Sequence, residues 1–164
     1  MILDMAIFTL VHVVLSLVGL LSGFVVLIGL LTAKQCSRWT ALFLGTTIAT
    51  SVTGFLFPFH QFLPSHGVGI VSLIVLAVTI FALYARHLVG AWRGTYVIGA
   101  VLALYLNFFV LVVQAFLKVP TLKAMAPTQA EPPFLIAQAV VLGTFVALAI
   151  AAVIKFRPAP TSAV

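Results

Sequence analysis

Five long apolar stretches fill most of this chain, and they constrain its fold more than any other feature. The stretches lie at about residues 6–31, 41–59, 68–85, 95–117 and 134–154. Each is close to the roughly 20 residues that a helix needs to cross a hydrocarbon core about 30 Å thick. Backbone in lipid must satisfy its own hydrogen bonds, and the stretches lack the alternating polarity of barrel strands. The sequence therefore predicts an all-α, polytopic membrane bundle of five transmembrane helices.

The charge composition excludes a water-soluble fold. Only 6% of the 164 residues are charged, whereas soluble domains average roughly 25%. The basic residues are scattered between apolar runs, so they do not form the basic patch of a nucleic-acid-binding protein. We expect the lipid bilayer to be the principal partner, with no nucleic acid bound. The domain prediction is a single transmembrane bundle at residues 1–157, followed by a short flexible tail at 158–164.

The distribution of cations predicts the orientation. With five crossings, the connections on one side carry six basic residues and those on the other side carry two, Lys118 and Lys123. By the positive-inside rule, the amino terminus lies outside and the carboxy terminus inside. A re-entrant segment beside the proline-flanked 57–67 hairpin is the alternative to five full crossings. The six inner cations are Lys34, Arg38, Arg86, Arg93, Lys155 and Arg157, and the predicted inner aromatic belt is Trp39, Tyr84, Trp92 and Tyr96.

Small and polar residues form stripes along most of the spans. In the first span, His12, Ser16, Gly19 and Gly23 recur at i, i+4, i+7 and i+11, which places them on one face of a helix. Helices in lipid associate through such small residues and through polar side chains that bond across the interface. We expect these stripes to face the interior of the bundle.

Recognisable catalytic motifs are absent from the chain. It contains no HExxH, no phosphate-binding GxxxxGK[ST] and no GxSxG, which removes the common zinc, nucleotide and serine hydrolase signatures. Its only acids, Asp4 and Glu131, lie at or outside the predicted outer membrane face, so a carboxylate-coupled transporter is disfavoured. The single cysteine, Cys36, cannot form an internal disulfide. An enzyme is therefore not the expected function.

The candidate functional residues lie in a polar layer in the outer half of the predicted bundle. The predicted ligand or partner contacts are His12, Asn107, Gln114, Glu131 and Gln138. Imidazole ligates metals and haem iron, so the predicted metal ligands are His12, His60 and His66. The leading expectation is that the protein binds no cofactor. The alternative is a single haem b held by His12 with either of the other two histidines. The competing interpretation is that these histidines make structural hydrogen bonds.

The connection between the fourth and fifth spans is the longest in the chain. Four prolines stiffen it, and Thr128, Gln129 and Glu131 supply polar groups. Two interpretations remain open: a lid or partner-docking surface above the His12 layer, or a compact connector that covers the ends of the two helices.

Three segments of the chain carry a family resemblance. They are SRWTALFLGTTIATSVTGFLFP, GAWRGTYVIGAVLALYLNFFVLVVQAFLKVP and APTQAEPPFLIAQ. With these the chain resembles a group of small bacterial integral membrane proteins, found mainly in proteobacteria, that has no assigned activity. The resemblance implies a multi-pass protein of the bacterial inner (cell) membrane.

The leading functional hypothesis is a non-enzymatic membrane component that binds a partner or a small apolar ligand at its outer face. The partner would be another membrane protein or a second copy of this chain in a homo-oligomer. The alternatives are a redox protein holding haem b or a metal through outer histidines, and a small transporter or channel.

Overall fold

The described part of the chain is helical, as predicted. The computed structural model describes residues 2–57 and 64–157, and no strand occurs among them. The helices are α1 (Ile2–Leu31), α2 (Ser37–Gly54), α3 (Pro64–Ile80) with a π-helical last turn (Phe81–Ala85), α4 (Ala91–Lys118), α5 (Pro120–Met125) and α6 (Pro132–Lys155).

Within the described ranges, four segments are long and apolar enough to cross a membrane. They are Met5–Leu31, His66–Ala85, Ala91–Lys118 and Pro132–Lys155, so the chain is a multi-pass membrane protein. Helix α2 is not among them, because its 18 residues include Arg38 and a series of Thr and Ser side chains. Four of the five predicted spans thus correspond to candidate membrane-spanning helices, and the fifth is not confirmed.

Proline explains several differences between the predicted and the observed helix boundaries. Helix α6 begins at Pro132, because proline is favoured in the first turn, where its missing N–H needs no partner. Helix α3 is described from Pro64 onward. Both helices therefore extend before the predicted starts at residues 134 and 68. The short helix α5, which the sequence did not predict, also begins at a proline, Pro120. Helix α2 ends at Gly54 and residues 55–57 are not helical, whereas the predicted end at residue 59 lies outside the described residues.

Sequence-adjacent long helices pack antiparallel, and α4 lies at the centre of the bundle. It contacts α1, α3 and α6, and α1 packs along α2. The predicted small-residue stripe of α1 is confirmed, since Gly19 lies against Thr46 and Thr47 while Gly23 lies against Phe43. Without side chains at these two positions, the backbones of α1 and α2 can approach closely.

The two ends of the bundle differ in charge. At one end, called the basic end here, Tyr96 of α4 meets Thr40 of α2 at 3.4 Å, and Trp92 lies 5.4 Å from the Arg86 guanidinium. The opposite end holds ring contacts between successive helices, including one between Phe116 and Phe134 with centroids 5.3 Å apart. The basic end carries Lys34, Arg38, Arg86, Arg93, Lys155 and Arg157.

The predicted aromatic belt is only partly correct. Trp39 and Tyr84 are exposed toward the surroundings of the bundle, as side chains at a membrane interface would be. Tyr96 is instead 1% exposed, and its hydroxyl pairs with Thr40. A buried tyrosine needs a partner for its hydroxyl, so Tyr96 joins helices rather than anchoring the protein at the interface.

Candidate functional site

The polar side chains of α2 are used inside the bundle. The hydroxyls of Thr46 and Thr53 each donate to the backbone carbonyl four residues earlier, at 2.7 Å. Three α2 side chains bond to three different helices: Thr53 to His12 of α1 at 2.8 Å, Ser51 to Ser72 of α3 at 3.2 Å, and Thr47 to Asn107 of α4 at 3.1 Å. Such bonds hold helices together where the hydrophobic effect cannot.

The hydrogen bonds of Thr53 favour one tautomer of His12. Thr53 has one hydroxyl proton, and the Ala49 carbonyl lies 2.7 Å from its Oγ1. When that proton goes to Ala49, Thr53 accepts from His12 Nδ1 across the 2.8 Å contact. A neutral imidazole carries one ring proton, so Nε2 is left with a lone pair that can accept a hydrogen bond or bind a metal.

Aromatic and small residues surround this imidazole. The Phe57 ring stands edge-on to it with centroids 5.1 Å apart, and Phe8 packs against Phe57 at 4.9 Å. Gly54 leaves space beside the ring, since a Cβ there would lie 3.8 Å from His12 Cε1. His12, Thr53, Gly54, Phe57 and Phe8 are called the His12 site below. It lies between α1 and α2 at the end opposite the basic end.

The second described histidine of the predicted metal set lies elsewhere. His66 of α3 is 6% exposed, and its ring stacks on Phe55 with centroids 5.7 Å apart. Phe55 follows Thr53 by two residues, about 200° around a helix, so the two histidines approach the end of α2 from different sides. His60 lies outside the described residues. Among residues 2–57 and 64–157, no three His, Cys, Asp or Glu side chains form a metal-binding group, and haem ligation stays a prediction.

The predicted amide contacts do not bond to His12. Asn107 donates to Thr47 at mid-bundle and lies beside Gly19, which ties α4 to α1 and α2. Gln114 is exposed. Gln138 of α6 donates from Nε2 to the Phe109 carbonyl at 3.3 Å. Two of the three amides thus join helices, and none extends the His12 site.

Glu131 organises the loop before α6. Its carboxylate accepts hydrogen bonds from the Thr128 hydroxyl at 2.8 Å and from the backbone N–H groups of Thr128 and Ala130. Desolvation acts to raise the pKa of this carboxyl, but these hydrogen bonds outweigh it and lower the pKa. The ionised carboxylate also lies at the amino terminus of α6, where the helix dipole favours negative charge.

The loop itself packs on the ends of α4 and α6. Ala126 is 1% exposed and forms a cluster with Phe116 and Phe134, while Gln129 donates to the Val113 carbonyl at 2.9 Å. Helix α5 contacts α4. This packing is that of a compact connector, the second of the two interpretations left open by the sequence.

Arg93 has a structural role that the sequence did not indicate. Its Nη1 donates to the carbonyls of Val153, at 3.1 Å, and of Phe156. These carbonyls belong to the last turn of α6 and the residue after it, where helix carbonyls lack partners within the helix. In the sequence, Arg93 beside Trp92 has the pattern of an interface anchor, and no local signal pairs it with a segment 60 residues away.

Comparisons with family models, with curated proteins and with solved structures found no match to this chain. The inner-membrane location therefore stays a prediction from the sequence.

Proposed function

We propose that this protein is a five-span, non-enzymatic protein of the bacterial inner membrane that binds a small apolar ligand at its outer face through His12. The observation that carries the ligand proposal is the 2.8 Å contact of His12 Nδ1 with Thr53 Oγ1 beside the Ala49 carbonyl, because the tautomer that this contact favours leaves Nε2 as an acceptor. The five-span topology is what places the His12 site on the outer side of the membrane in this proposal.

The packing of α1 against the α2 segment supports a fifth crossing. Contacts join the two along their length, from Gly29 beside Cys36, through Gly23 beside Phe43, to Phe8 beside Phe57. From Phe8 to Gly29, α1 rises about 32 Å at 1.5 Å per residue, which matches a hydrocarbon core of roughly 30 Å. Five polar side chains of α2 are hydrogen-bonded within the bundle, which lowers the cost of placing them in lipid, whereas the buried Thr50 hydroxyl has no partner among the described residues. The five are Thr40, Thr46, Thr47, Ser51 and Thr53.

The charge of the two ends supports an outside amino terminus. The basic end carries six cations, and the positive-inside rule assigns that end to the cytoplasm. The carboxy-terminal end of α6 lies at this same end, since Arg93 bonds to the Phe156 carbonyl. The His12 site is then on the outer side.

Reporter fusions test this topology. If α2 crosses, alkaline phosphatase fused after Phe57 is active, whereas fusions after Gln35 and at the carboxy terminus are inactive. A carboxy-terminal green fluorescent protein fluoresces. If α2 does not cross, every fusion after it lies on the opposite side of the membrane. An active carboxy-terminal phosphatase would therefore contradict the five-span proposal.

The chemistry of the His12 site defines the ligand class. A lone pair at Nε2 accepts one hydrogen bond, and the neighbouring Phe8 and Phe57 rings offer apolar contact. The fitting ligand is a flat apolar molecule with one O–H or N–H donor. A hydrogen bond lost at such a site leaves the acceptor unpaired in an apolar setting, which costs about 1–3 kcal/mol.

Two probes that differ in a single donor test the proposal. We expect 1-naphthol to bind the purified protein at least about tenfold more tightly than 1-methoxynaphthalene, which has no donor. His12→Phe should remove this preference, because phenylalanine keeps the ring and lacks the acceptor. In protein labelled with ¹⁵N-histidine, 1-naphthol should shift the Nε2 signal of His12.

His87→Asn is the matched control, because His87 is an exposed histidine at the basic end. This variant should discriminate between the probes as the wild type does. Equal affinities of the wild type for the two probes, or a preference that survives His12→Phe, would rule out the His12 site as the binding site.

A further inference from the structure

One buried hydroxyl of α2 is left without a hydrogen bond. The Oγ1 atom of Thr50 is shielded from the surroundings and has no partner among residues 2–57 and 64–157. Two neighbouring threonines differ from it, because Thr46 and Thr53 each donate to the carbonyl four residues earlier at 2.7 Å. Buried polar groups in proteins are almost always hydrogen-bonded, and an unpaired one is costly. The Thr50 hydroxyl therefore needs a partner from outside these protein groups.

The side chain that faces Thr50 across the α1–α2 interface is Ser16. Both residues lie one helical turn from each of two contacts between these helices, so both are on the facing sides of α1 and α2. The flanking contacts are the 2.8 Å hydrogen bond of His12 with Thr53 and the packing of Gly19 against Thr46. Since Thr50 has no partner, Ser16 and Thr50 face each other across the interface without a direct hydrogen bond.

The two hydroxyls have complementary requirements. Ser16 donates its proton to the His12 carbonyl at 2.8 Å, so its oxygen can still accept. The Thr50 hydroxyl has a proton and no acceptor for it. A molecule that bridges them must therefore accept one hydrogen bond and donate another. Water does both, whereas a metal cation has no proton to donate.

The helix surface next to Thr50 is low in side-chain volume. Gly54 follows Thr50 by one turn on the same face of α2. A Cβ built at Gly54 would have one described atom within 4 Å, His12 Cε1 at 3.8 Å. Buried waters need such space together with about two to four polar partners, and Thr50 and Ser16 supply two.

We propose that the α1–α2 interface binds one internal water molecule, which accepts from the Thr50 hydroxyl and donates to Ser16 Oγ. This water gives Thr50 the hydrogen bond that the protein groups do not supply. It also joins α1 to α2 midway between the His12–Thr53 bond and the Gly19 contact. Its binding does not depend on the ligand proposed for His12.

Thermal melting of isosteric variants tests the bridge. Thr50→Val keeps the shape and removes the hydroxyl, so it should lower the melting temperature by about 2–4 °C, the shift expected for one lost hydrogen bond. Thr144→Val is the control, since the exposed Thr144 donates only within its own helix, and it should melt as the wild type does. Ser16→Ala and Thr50→Val should be non-additive, because both remove the same bridge.

An opposite shift would overturn the proposal. If the Thr50 hydroxyl held no water, Thr50→Val would replace an unpaired polar group with a methyl group, which is neutral or stabilising. A melting temperature of Thr50→Val equal to or above that of the wild type therefore contradicts the bridge, as does full additivity with Ser16→Ala.

Solid-state NMR detects the water directly in the threonine-labelled protein in lipid bilayers. Polarisation should pass from water protons to the Thr50 methyl group, and hardly at all to Thr79, which is 0% exposed and bonded within its own helix. Ser16→Ala should weaken the Thr50 signal. Ser22→Ala should not, because it removes a hydroxyl of the same helix that bonds only to α1 carbonyls. Equal transfer to Thr50 and Thr79, or a Thr50 signal unchanged by Ser16→Ala, would rule out the bridging water.

Discussion

Gly99→Ala lowers the free energy of unfolding by about 1–3 kcal/mol, the usual cost of overpacking a close-packed interface. A Cβ at residue 99 would overlap with Thr79 Oγ1 and lie 3.2 Å from Thr79 Cβ. Thr79 cannot easily give way, because it is fully buried and its hydroxyl donates to the Val75 carbonyl at 2.6 Å. Threonine is also stiff at χ1. Helices α3 and α4 would therefore have to separate.

Thermal melting with a thiol-reactive fluorophore measures this effect, since the chain contains one cysteine, Cys36, which is half-buried. For a protein of this size, each kcal/mol corresponds to a fall of about 2–4 °C. Gly143→Ala is the control, because an added Cβ there meets nothing within 4 Å. Thr79→Ala should rescue Gly99→Ala, because it removes the overlapping hydroxyl. Equal melting temperatures for Gly99→Ala and Gly143→Ala would disprove the close approach.

Arg93→Gln should destabilise the protein by about 2–3 kcal/mol, since hydrogen bonds to charged groups contribute more than neutral ones. The substitution removes the charged donor to the Val153 and Phe156 carbonyls. It also removes a cation from the carboxy-terminal end of α6, where positive charge is favourable. Arg93→Lys keeps the charge and a charged N–H donor group, so this substitution should lower the free energy of unfolding by less.

The fluorophore melting assay and amide hydrogen exchange together test this prediction. Arg93→Gln should accelerate exchange at the Phe156 amide, which donates to the Ala152 carbonyl at 2.8 Å. Arg38→Gln removes an exposed cation at the same end and should leave both measurements unchanged. If Arg93→Gln behaves like Arg38→Gln, the bond between α4 and α6 contributes nothing to stability.

The helices themselves could be predicted from the sequence. A lipid-exposed chain must satisfy its backbone hydrogen bonds within each segment, so length and hydropathy determine the spans locally. Proline was a local signal of helix starts that the prediction did not use, since Pro120 and Pro132 each begin a helix. The small-residue stripe through Gly19 and Gly23 was also readable, because it depends only on helical periodicity.

The partners of individual side chains were decided by the tertiary structure. His12 was chosen as a candidate from its type and depth, but its free Nε2 depends on Thr53, 41 residues away. Gln138 was grouped with it by depth and Asn107 as a polar residue nearer mid-membrane, and in the structure each bonds to a different neighbouring helix.

By itself, the sequence determined that this protein is a multi-pass helical bundle with a basic end, because span length, hydropathy and charge act within each segment and its connections. Only the tertiary structure decided which helix faces meet. Lipid provides no hydrophobic drive to choose among them, so the choice depends on contacts between distant residues, such as Gly99 with Thr79 and Arg93 with Phe156.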